Sequence, residues 1–360
     1  MPPSLPWPMY SPAENSSGPK LVLLGEAPGE DEDKAGVPFV GASGRLLKRD
    51  LMPSAGLDPS DWHMLNVFTS RPPNNDLKLW TANKTELKKL GQVPQGDPLN
   101  KRFLLAEHRH HLAELDARLR QLAPDLILCL GGTALWAISG DGAIGTHRGT
   151  FFRSRYGLAI ATYHPAAILR QWSNKPVAWA DMRKVAAHLD GTLTPPLRRR
   201  FYVNPSWQEI AEVYSIFAAN PSWMLGVDIE TCPGIDQITT ISFCTPTLGI
   251  CIPIWDKNNV SGGHNYWATV SDERKAWRWI NRFAQLANPK VLQNGLYDSQ
   301  YLLDAPIDIR LRHWQDDDAI LHHALQPELQ KSLGFLSSIY LNEPSWKQMR
   351  TSNKDAKADE

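Results

Sequence analysis

The stretch Leu23–Gly44, LLGEAPGEDEDKAGVPFVGASG, leaves an apolar segment, passes through five acidic residues and returns to the apolar PFVG. Acid-rich loops are usually solvated turns, so its composition alone assigns no function. Its surroundings are more informative, because the preceding KLVLL is typical of a buried strand and the following GRLLKRDLM of a helix. The acidic loop is therefore predicted at the end of a strand.

Three later segments have the same strand-like composition: HMLNVFTS, DLILCLGG and LAIATYHP. The helical pattern FLLAEHRHHLAELDARLRQLAP lies between the first and second of these segments, and a second helical pattern, VAWADMRKVAAHL, follows the third. Short apolar strands that alternate with helices indicate an α/β fold with a parallel sheet, whose functional loops lie at the strand ends.

The length of 360 residues and the 42% hydrophobic content suit two domains with cores of their own. The segment DGTLTPPLRRRFYVNPSW breaks the first pattern, and a second α/β rhythm follows it, with three successive strands that suggest a meander. The predicted organisation is a flexible arm (1–19), a first domain (20–190), a basic Pro-rich linker (191–200), a second domain (201–346) and a polar tail (347–360).

Composition excludes some classes of protein and leaves others open. The formal net charge of zero does not indicate a nucleic-acid binder, although a local basic groove would suffice. The four cysteines contain no C-x-x-C pair, which indicates reduced, buried thiols. The N-terminus has no signal-peptide pattern, and no apolar run reaches about 18 residues. We expect a cytoplasmic protein without a membrane partner.

Three polar loops of the first domain follow predicted strands: GEAPGEDED…GVPFVG, LNVFTSRPPNND and TYHPAAILR. Loops at the ends of one parallel sheet converge, so we expect them to form one pocket. In it a flat polar heterocycle would stack on Phe39, an Asn amide would read its edge, and His164 would reach an oxygen. Taken singly, each residue has an ordinary structural explanation as loop, core, turn or strand end.

Together these three segments resemble the motifs of family 4 uracil-DNA glycosylases over roughly residues 20–190. The resemblance implies a three-layer α/β/α uracil-DNA glycosylase fold and hydrolysis of the N-glycosidic bond of deoxyuridine in DNA, with the uracil flipped into the pocket. It also implies that Phe39 stacks on uracil, Asn66 reads its edge, and His164 stabilises charge on uracil O2.

The same resemblance implies that Glu26 and Glu32 hold or polarise the attacking water and that Asn75 lies near the sugar or base. Ala27 stands where another glycosylase family has a water-activating Asp, which leaves the water-activating group open. Family 4 members also bind an iron–sulfur cluster through four cysteines. Here the N-terminal arm has no Cys, Ser70 stands at one ligand position, and Cys129 lies mid-strand. We therefore predict no iron–sulfur cluster.

Two polar clusters of the first domain keep alternative interpretations. The segment HRGTFFRSR contains Arg148, Arg153 and Arg155, which suit either phosphate contacts or plain surface charge. In EHRHHL, His108 and His111 share a helix face that can suit a metal, while a solvated helix face is the simpler interpretation.

The second domain contains a separate acidic pattern. In GVDIETC, Asp228 and Glu230 lie two apart on an apolar strand and so point to the same side, and QNGLYDSQYLL adds Asp298. Neighbouring carboxylates repel unless a cation lies between them, and converging carboxylates on two metals suit phosphodiester hydrolysis.

These segments resemble the proofreading 3′–5′ exonuclease domain of family A DNA polymerases, which has a ribonuclease H-like fold, over about residues 198–346. The resemblance implies that Asp228, Glu230 and Asp298 bind Mg²⁺ or Mn²⁺. The family's third motif, Tyr-x-x-x-Asp, is missing downstream of Asp298, and His313 to Asp318 offers only the His-x4-Asp pattern of a related class.

The sequence therefore predicts a uracil excision domain joined to an exonuclease-like domain, as in a viral-type DNA polymerase system. The expected partners are uracil-containing DNA and a DNA polymerase subunit or other replication proteins. The alternative is a non-catalytic DNA-binding module that recruits a separately encoded polymerase. A glycosylase trapped covalently on its abasic product is a third option, but the basic insert expected for it is missing.

Overall fold

The computed structural model describes residues 20–58, 62–195, 197–232, 237–260, 262–304 and 306–343. The predicted arm and polar tail lie outside these ranges. The chain divides into two compact units, the first formed by residues 1–195 with 334–360 and the second by 196–333. None of the helices in the described ranges combines the length and hydropathy of a transmembrane segment.

The first unit is built on a main sheet with the described strand order β2-β1-β5-β7-β6, beside a small β3–β4 ribbon. Its strands are β1 (Leu21–Gly25), β2 (Trp62–Asn66), β3 (Thr81–Ala82), β4 (Phe103–Leu104), β5 (Leu126–Leu130), β6 (Phe151–Ser154) and β7 (Gly157–Thr162). Strands β2, β1, β5 and β7 pair in parallel, which confirms the predicted sheet. The sequence did not predict β6, an antiparallel edge strand.

Helices cover both faces of this sheet. They are α1 (Glu30–Ala35), α2 (Ala42–Leu46), α3 (Met52–Ser54), α4 (Lys84–Lys89), α5 (His110–Leu122), α6 (Gly132–Ser139), α7 (Ile144–His147), α8 (Pro165–Arg170) and α9 (Lys175–Leu189). In β1, Leu21 and Leu23 pack with α9 on one face, while Val22 and Leu24 pack with α5 and α6 on the other. Strands buried on both faces give the three layers that the family resemblance implied.

The second unit contains a six-stranded mixed sheet among its described residues, in the order β13-β12-β9-β10-β11-β8. Its strands are β8 (Arg200–Val203), β9 (Leu225–Thr231), β10 (Ile238–Cys244), β11 (Leu248–Pro253), β12 (Lys290–Leu292) and β13 (Trp314–Asp317). Its helices are α10 (Trp207–Ala219), α11 (Val270–Ala284), α12 (Gly295–Leu303) and α13 (Asp318–Leu325).

The antiparallel meander β9-β10-β11 is confirmed, and β12 and β13 extend the sheet in parallel from β9. This arrangement fits the expected ribonuclease H-like α/β fold. Strand β8 begins at Arg200, inside the predicted linker, and pairs in parallel with β11 at the sheet edge. The FYV sequence that follows Arg200 suits such a strand.

The chain returns to the first unit at its C-terminal end. Helix α14 (Leu333–Tyr340) follows the last strand and helix of the second unit. The sequence assigned residues 334–346 to the second domain, whereas the structure groups the described part of this stretch with the first unit. The physical reason is a set of hydrogen bonds from Arg148 and Lys184 to this helix.

The carboxylate of Asp317 caps two helices of the second unit at once. Its Oδ1 accepts from the backbone N–H groups of Asn294, Ala319 and Ile320, and its Oδ2 accepts from that of Gly295 at 2.7 Å. We expect Asp317→Ala to lower the unfolding free energy of this unit by roughly 2–4 kcal/mol, since two helix N-termini lose their acceptor. Calorimetry of the full chain would measure the change.

Asp317→Asn keeps one acceptor oxygen, so its loss of stability is expected to be smaller. Asp316→Ala serves as the control, because the Asp316 carboxylate accepts a solvent-exposed hydrogen bond from the neighbouring Gln315 side chain. Equal stability of Asp317→Ala and Asp316→Ala would contradict the double-cap interpretation.

Candidate active site

The loops at the carboxyl ends of the first sheet enclose a cavity of about 670 Å³. Seven residues singled out in the sequence of the first domain line it: Glu26, Ala27, Glu32, Phe39, Asn66, Asn75 and His164. They come from the segments after β1, β2 and β7, so the structure brings together what the sequence spread over about 140 residues. Their individual roles stay predictions.

Phe39 and Asn66 share the space above Gly25, the last residue of β1. A Cβ atom at Gly25 would lie 2.4 Å from Asn66 Oδ1 and 2.7 Å from Phe39 Cζ. A residue with a side chain would therefore displace the ring or the amide. The glycine lets an aromatic ring and a hydrogen-bonding amide lie side by side, which is the combination that binds a flat heterocycle.

The loop that carries Phe39 is tightly turned and anchored by an acidic side chain. Phe39 has φ of 57°, and a Cβ atom at Gly44 would approach Phe39 O to 2.0 Å. Glu32 Oε1 accepts from the backbone N–H of Gly41 at 2.8 Å. Glu32 therefore ties α1 to the segment beyond Phe39, and part of its hydrogen-bonding capacity is structural.

His164 is the N-cap of α8, and its Nδ1 accepts from the backbone N–H of Ala166 at 3.1 Å. A ring nitrogen that accepts carries no proton, so the neutral imidazole has its N–H at Nε2. Burial, together with the smaller effect of the Arg170 charge, lowers the pKa of His164 to about 4, although Glu32 opposes the shift. The side chain is thus a neutral hydrogen-bond donor at pH 7.

Two further polar side chains of the cavity are held by hydrogen bonds. Thr133 Oγ1 donates to Glu26 Oε2 at 2.5 Å, which fixes the orientation of that carboxylate. Asn75 Oδ1 accepts from Arg71 Nε at 2.6 Å. Both residues are therefore oriented before any ligand binds.

Sequence reasoning missed part of the lining. Gly131 after β5 and Gly132 at the start of α6 line the cavity, as do Tyr163, directly before His164, and Arg170 at the end of α8. The signal was present, because DLILCLGG ends at the same sheet edge as the other three strands and its GGT loop follows directly. Thr133 was missed for the same reason, since its partner Glu26 lies 107 residues earlier.

The two interpretations offered for Arg148, surface charge or phosphate contact, are both wrong. The residue is 1% exposed and forms a bidentate ion pair with Asp181, with N–O distances of 3.0 and 2.6 Å. A solvated face is likewise wrong for His111, which is 3% exposed and stacks on Trp80 at 5.3 Å. His108 stacks on the same indole.

The acidic residues of the second unit are arranged as the strand pattern predicted. Asp228 and Glu230 lie on the exposed side of β9, while Asp298 is 4% exposed and its Oδ1 accepts from the backbone N–H of Ile229. Burial raises the pKa of Asp298, and the charges of Asp317 and Glu230 act in the same direction.

Within the described ranges, however, no three His, Cys, Asp or Glu side chains are grouped so as to hold a metal ion. The carboxylates of Asp228, Glu230 and Asp298 therefore do not form a ligand set in this arrangement. Their assignment as metal ligands stays a prediction, and no catalytic step is derived from it.

Comparisons with known proteins agree with this geometry for the first unit. The profile of the Uracil DNA glycosylase superfamily matches residues 12–183. A type-4 uracil-DNA glycosylase of Archaeoglobus fulgidus is 31% identical over 197 residues, covering 52% of this chain and 85% of the relative. One from Thermotoga maritima is 34% identical, covering 45% of this chain and 72% of the relative.

Among solved structures, the Aedes aegypti Nibbler EXO domain is 14% identical with a TM-score of 0.32, covering 44% of this chain and 78% of that one. An EXD2 exonuclease domain soaked in Mg and GMP is 17% identical with a TM-score of 0.25, covering 45% and 84%. These identities and TM-scores are too low to assign a fold family or a function to the second unit.

The fold and cavity of the first unit thus define a three-layer α/β protein whose sheet edge carries a cavity lined by Phe39, Asn66 and His164. The chain belongs to the uracil-DNA glycosylase superfamily, and the relatives named above are type-4 enzymes.

The unusual protonation of His164 is directly testable. NMR of the isotope-labelled chain should show an imidazole that titrates at about pH 4 and carries its proton on Nε2. An unfolded His titrates near 6.5, so the unfolded state binds more protons between these values. The contribution of the neutral His164 to the free energy of unfolding is therefore complete above about pH 6.5 and is lost as the pH falls toward 4.

Arg170→Gln should raise the pKa of His164, because it removes a neighbouring positive charge. Arg153→Gln, at an exposed position of β6, provides the matched control and should leave it unchanged. A titration of His164 near pH 6.5 in the unaltered chain would contradict the buried neutral imidazole.

Proposed function

We propose that the first unit removes uracil from DNA by hydrolysing the bond between uracil N1 and deoxyribose C1′. The observation that carries this proposal is the meeting of Phe39, Asn66 and the neutral His164 in one cavity of a chain related to type-4 glycosylases. The cavity volume of about 670 Å³ lies in the range of small-ligand sites and accommodates an extruded nucleotide.

In this proposal the uracil ring stacks on Phe39 and the Asn66 amide, which has both a donor and an acceptor, reads its polar edge. As the N1–C1′ bond breaks, its electron pair passes to the base and negative charge gathers on O2. The His164 Nε2–H then donates to O2 without giving up its proton. A preorganised donor in a buried site stabilises such developing charge more strongly than water does.

A water molecule adds to C1′ and releases one proton to the solvent, and the departing uracil anion takes up one proton from the solvent, so that free uracil and an abasic site result. Glu26 is the carboxylate we assign to hold or polarise this water, because Thr133 fixes its orientation at the cavity wall. Glu32 supports it mainly by anchoring the loop at Gly41. Asn75 lies near the sugar or base, and Ala27 contributes only a small apolar contact.

The decisive experiment incubates the full chain with a labelled uracil-containing oligonucleotide and then cleaves abasic sites with alkali. We expect strand cleavage at uracil by the unaltered protein. His164→Ala should reduce the single-turnover rate by roughly 10²–10³-fold, the usual loss when a donor to developing charge is removed.

His110→Ala is the matched control, because His110 is an exposed residue on α5. It should retain the full rate. If the oligonucleotide stays intact with the unaltered protein, the proposed activity is refuted. Equal rates for the two histidine variants would show that His164 has no role in excision.

For the second unit we propose a nucleic-acid-binding role with 3′–5′ exonuclease activity that uses Mg²⁺ or Mn²⁺. Support comes from the shared side of Asp228 and Glu230 on β9 and from the acidic surroundings of Asp298. We also propose a link to a family A type polymerase and its replication partners, which rests on the DIET and QNGLYD motifs. The alternative is a non-catalytic module that binds DNA and recruits such a polymerase.

A labelled single strand incubated with the full chain and magnesium or manganese should shorten from its 3′ end. Asp228→Asn should abolish this trimming, because it removes one of the three predicted metal-binding carboxylates. Glu328→Gln, an exposed position of the second unit, makes the same chemical change and should have no effect. Binding without shortening would favour the non-catalytic alternative, and trimming that survives Asp228→Asn would refute the ligand assignment.

A further inference from the structure

Helix α14 docks on the first unit through a buried arginine. Arg148 uses Nε and Nη2 for Asp181, and its Nη1 donates to Ser338 Oγ at 2.9 Å. The Ser338 hydroxyl donates in turn to Phe335 O at 2.6 Å, which directs a lone pair toward the guanidinium. The Phe335 ring also lies 5.4 Å from the Arg148 guanidinium carbon.

A buried lysine makes a second attachment to the same segment. Lys184 Nζ donates to Gly149 O at 2.8 Å and to Ser338 O and Leu341 O at 2.6 Å each. Two of the three acceptors thus come from the C-terminal end of α14, where partial negative charge favours a cation. Residues 334–341 therefore supply acceptors to both buried cations of this cluster.

The cluster is continuous with β7, the strand that precedes His164. Thr162, the last residue of β7, donates through Oγ1 to Asp181 Oδ2 at 2.7 Å. Gly149 N donates to Ala161 O at 2.9 Å, one residue earlier on the strand. The guanidinium carbon of Arg148 also lies 5.9 Å from the ring of Tyr163, which lines the cavity next to His164.

A charge buried without its full set of partners is strongly unfavourable, so a site that loses acceptors rearranges or admits water. If residues 334–341 were absent, Arg148 would lose Ser338 and Lys184 would keep one acceptor of three. Both changes would affect residues that are hydrogen-bonded to the end of β7, because Asp181 accepts from Thr162 and Gly149 donates to Ala161. Small displacements of catalytic groups are costly, about 10²-fold for 1 Å.

We propose that residues 334–341 are a positioning segment for uracil excision, which holds Tyr163 and His164 in place by completing the hydrogen bonds of Arg148 and Lys184. The segment lies about 150 residues beyond the matched superfamily region and is separated from it in the sequence by the whole second unit. The catalytic part of this inference rests on the proposed glycosylase activity.

The test compares Ser338→Ala with Ser332→Ala in the full chain, because Ser332 is an exposed serine just before α14. Ser338→Ala should lower kcat for uracil excision by about 3–10-fold with KM for the oligonucleotide changed less than about twofold, since the altered bond lies behind the cavity. Hydrogen–deuterium exchange of a peptide covering residues 157–166 should increase. Ser338→Thr, which keeps the hydroxyl, should recover both values.

Four outcomes would overturn the inference: exchange and kcat equal to those of Ser332→Ala, a fall in kcat without faster exchange at 157–166, a rise in KM alone, or no recovery by Ser338→Thr. If the unaltered chain excises no uracil, the proposed activity fails separately. Hydrogen–deuterium exchange of residues 157–166 then decides whether residues 334–341 position this segment, because the exchange measurement requires no turnover.

Discussion

Parallel pairing of β1 with both β2 and β5 is the constraint on which the cavity depends. It places Gly25 opposite Asn66 and sets the ends of these strands at one edge of the sheet. A shift of one residue in the β1–β2 register would turn Asn66 to the other face and bring an apolar side chain to the site. In this register Leu21 and Leu23 of β1 pack into one layer and Val22 and Leu24 into the other.

The proposed chemistry of the site requires the His164 imidazole to stay neutral. Burial disfavours the charged form, and the backbone N–H of Ala166 reinforces this, because a protonated Nδ1 has no lone pair to accept it. The helix-capping bond therefore stabilises the neutral ring and fixes its tautomer with one contact. A neutral donor can stabilise an oxyanion on the base without competing with it for the proton.

The sequence predicted the features whose signal is local. Apolar strands alternating with helices predicted the parallel sheet, and the resemblance to family 4 glycosylases implied its three layers. Contiguous motifs around Phe39, Asn66 and His164 predicted residues that meet in the cavity. Strands β6 and β8 were missed, because each is short and lies at a sheet edge with exposed residues.

Long-range partnerships were also missed. Arg148 was interpreted as a phosphate contact or surface charge, because its partners Asp181 and Ser338 follow it by 33 and 190 residues. His111 looked solvated, because nothing in EHRHHL reveals that Trp80 covers it. Polar residues whose partners are distant in sequence are those that local pattern describes least well.

The first unit extends beyond the region of family resemblance, because residues far along the chain, in α14, pair with Arg148 and Lys184. Apolar packing alone would let α14 slide or rotate against the unit, since hydrophobic contact is non-directional. Arg148 and Lys184 instead present donors in fixed directions, which Ser338 and Leu341 satisfy in one register. Buried charge of this kind adds little stability over a well-packed apolar contact, but it is unfavourable in every alternative register. The cluster therefore selects one position for the returning segment, and the same Asp181 that pairs with Arg148 fixes Thr162, two residues before His164.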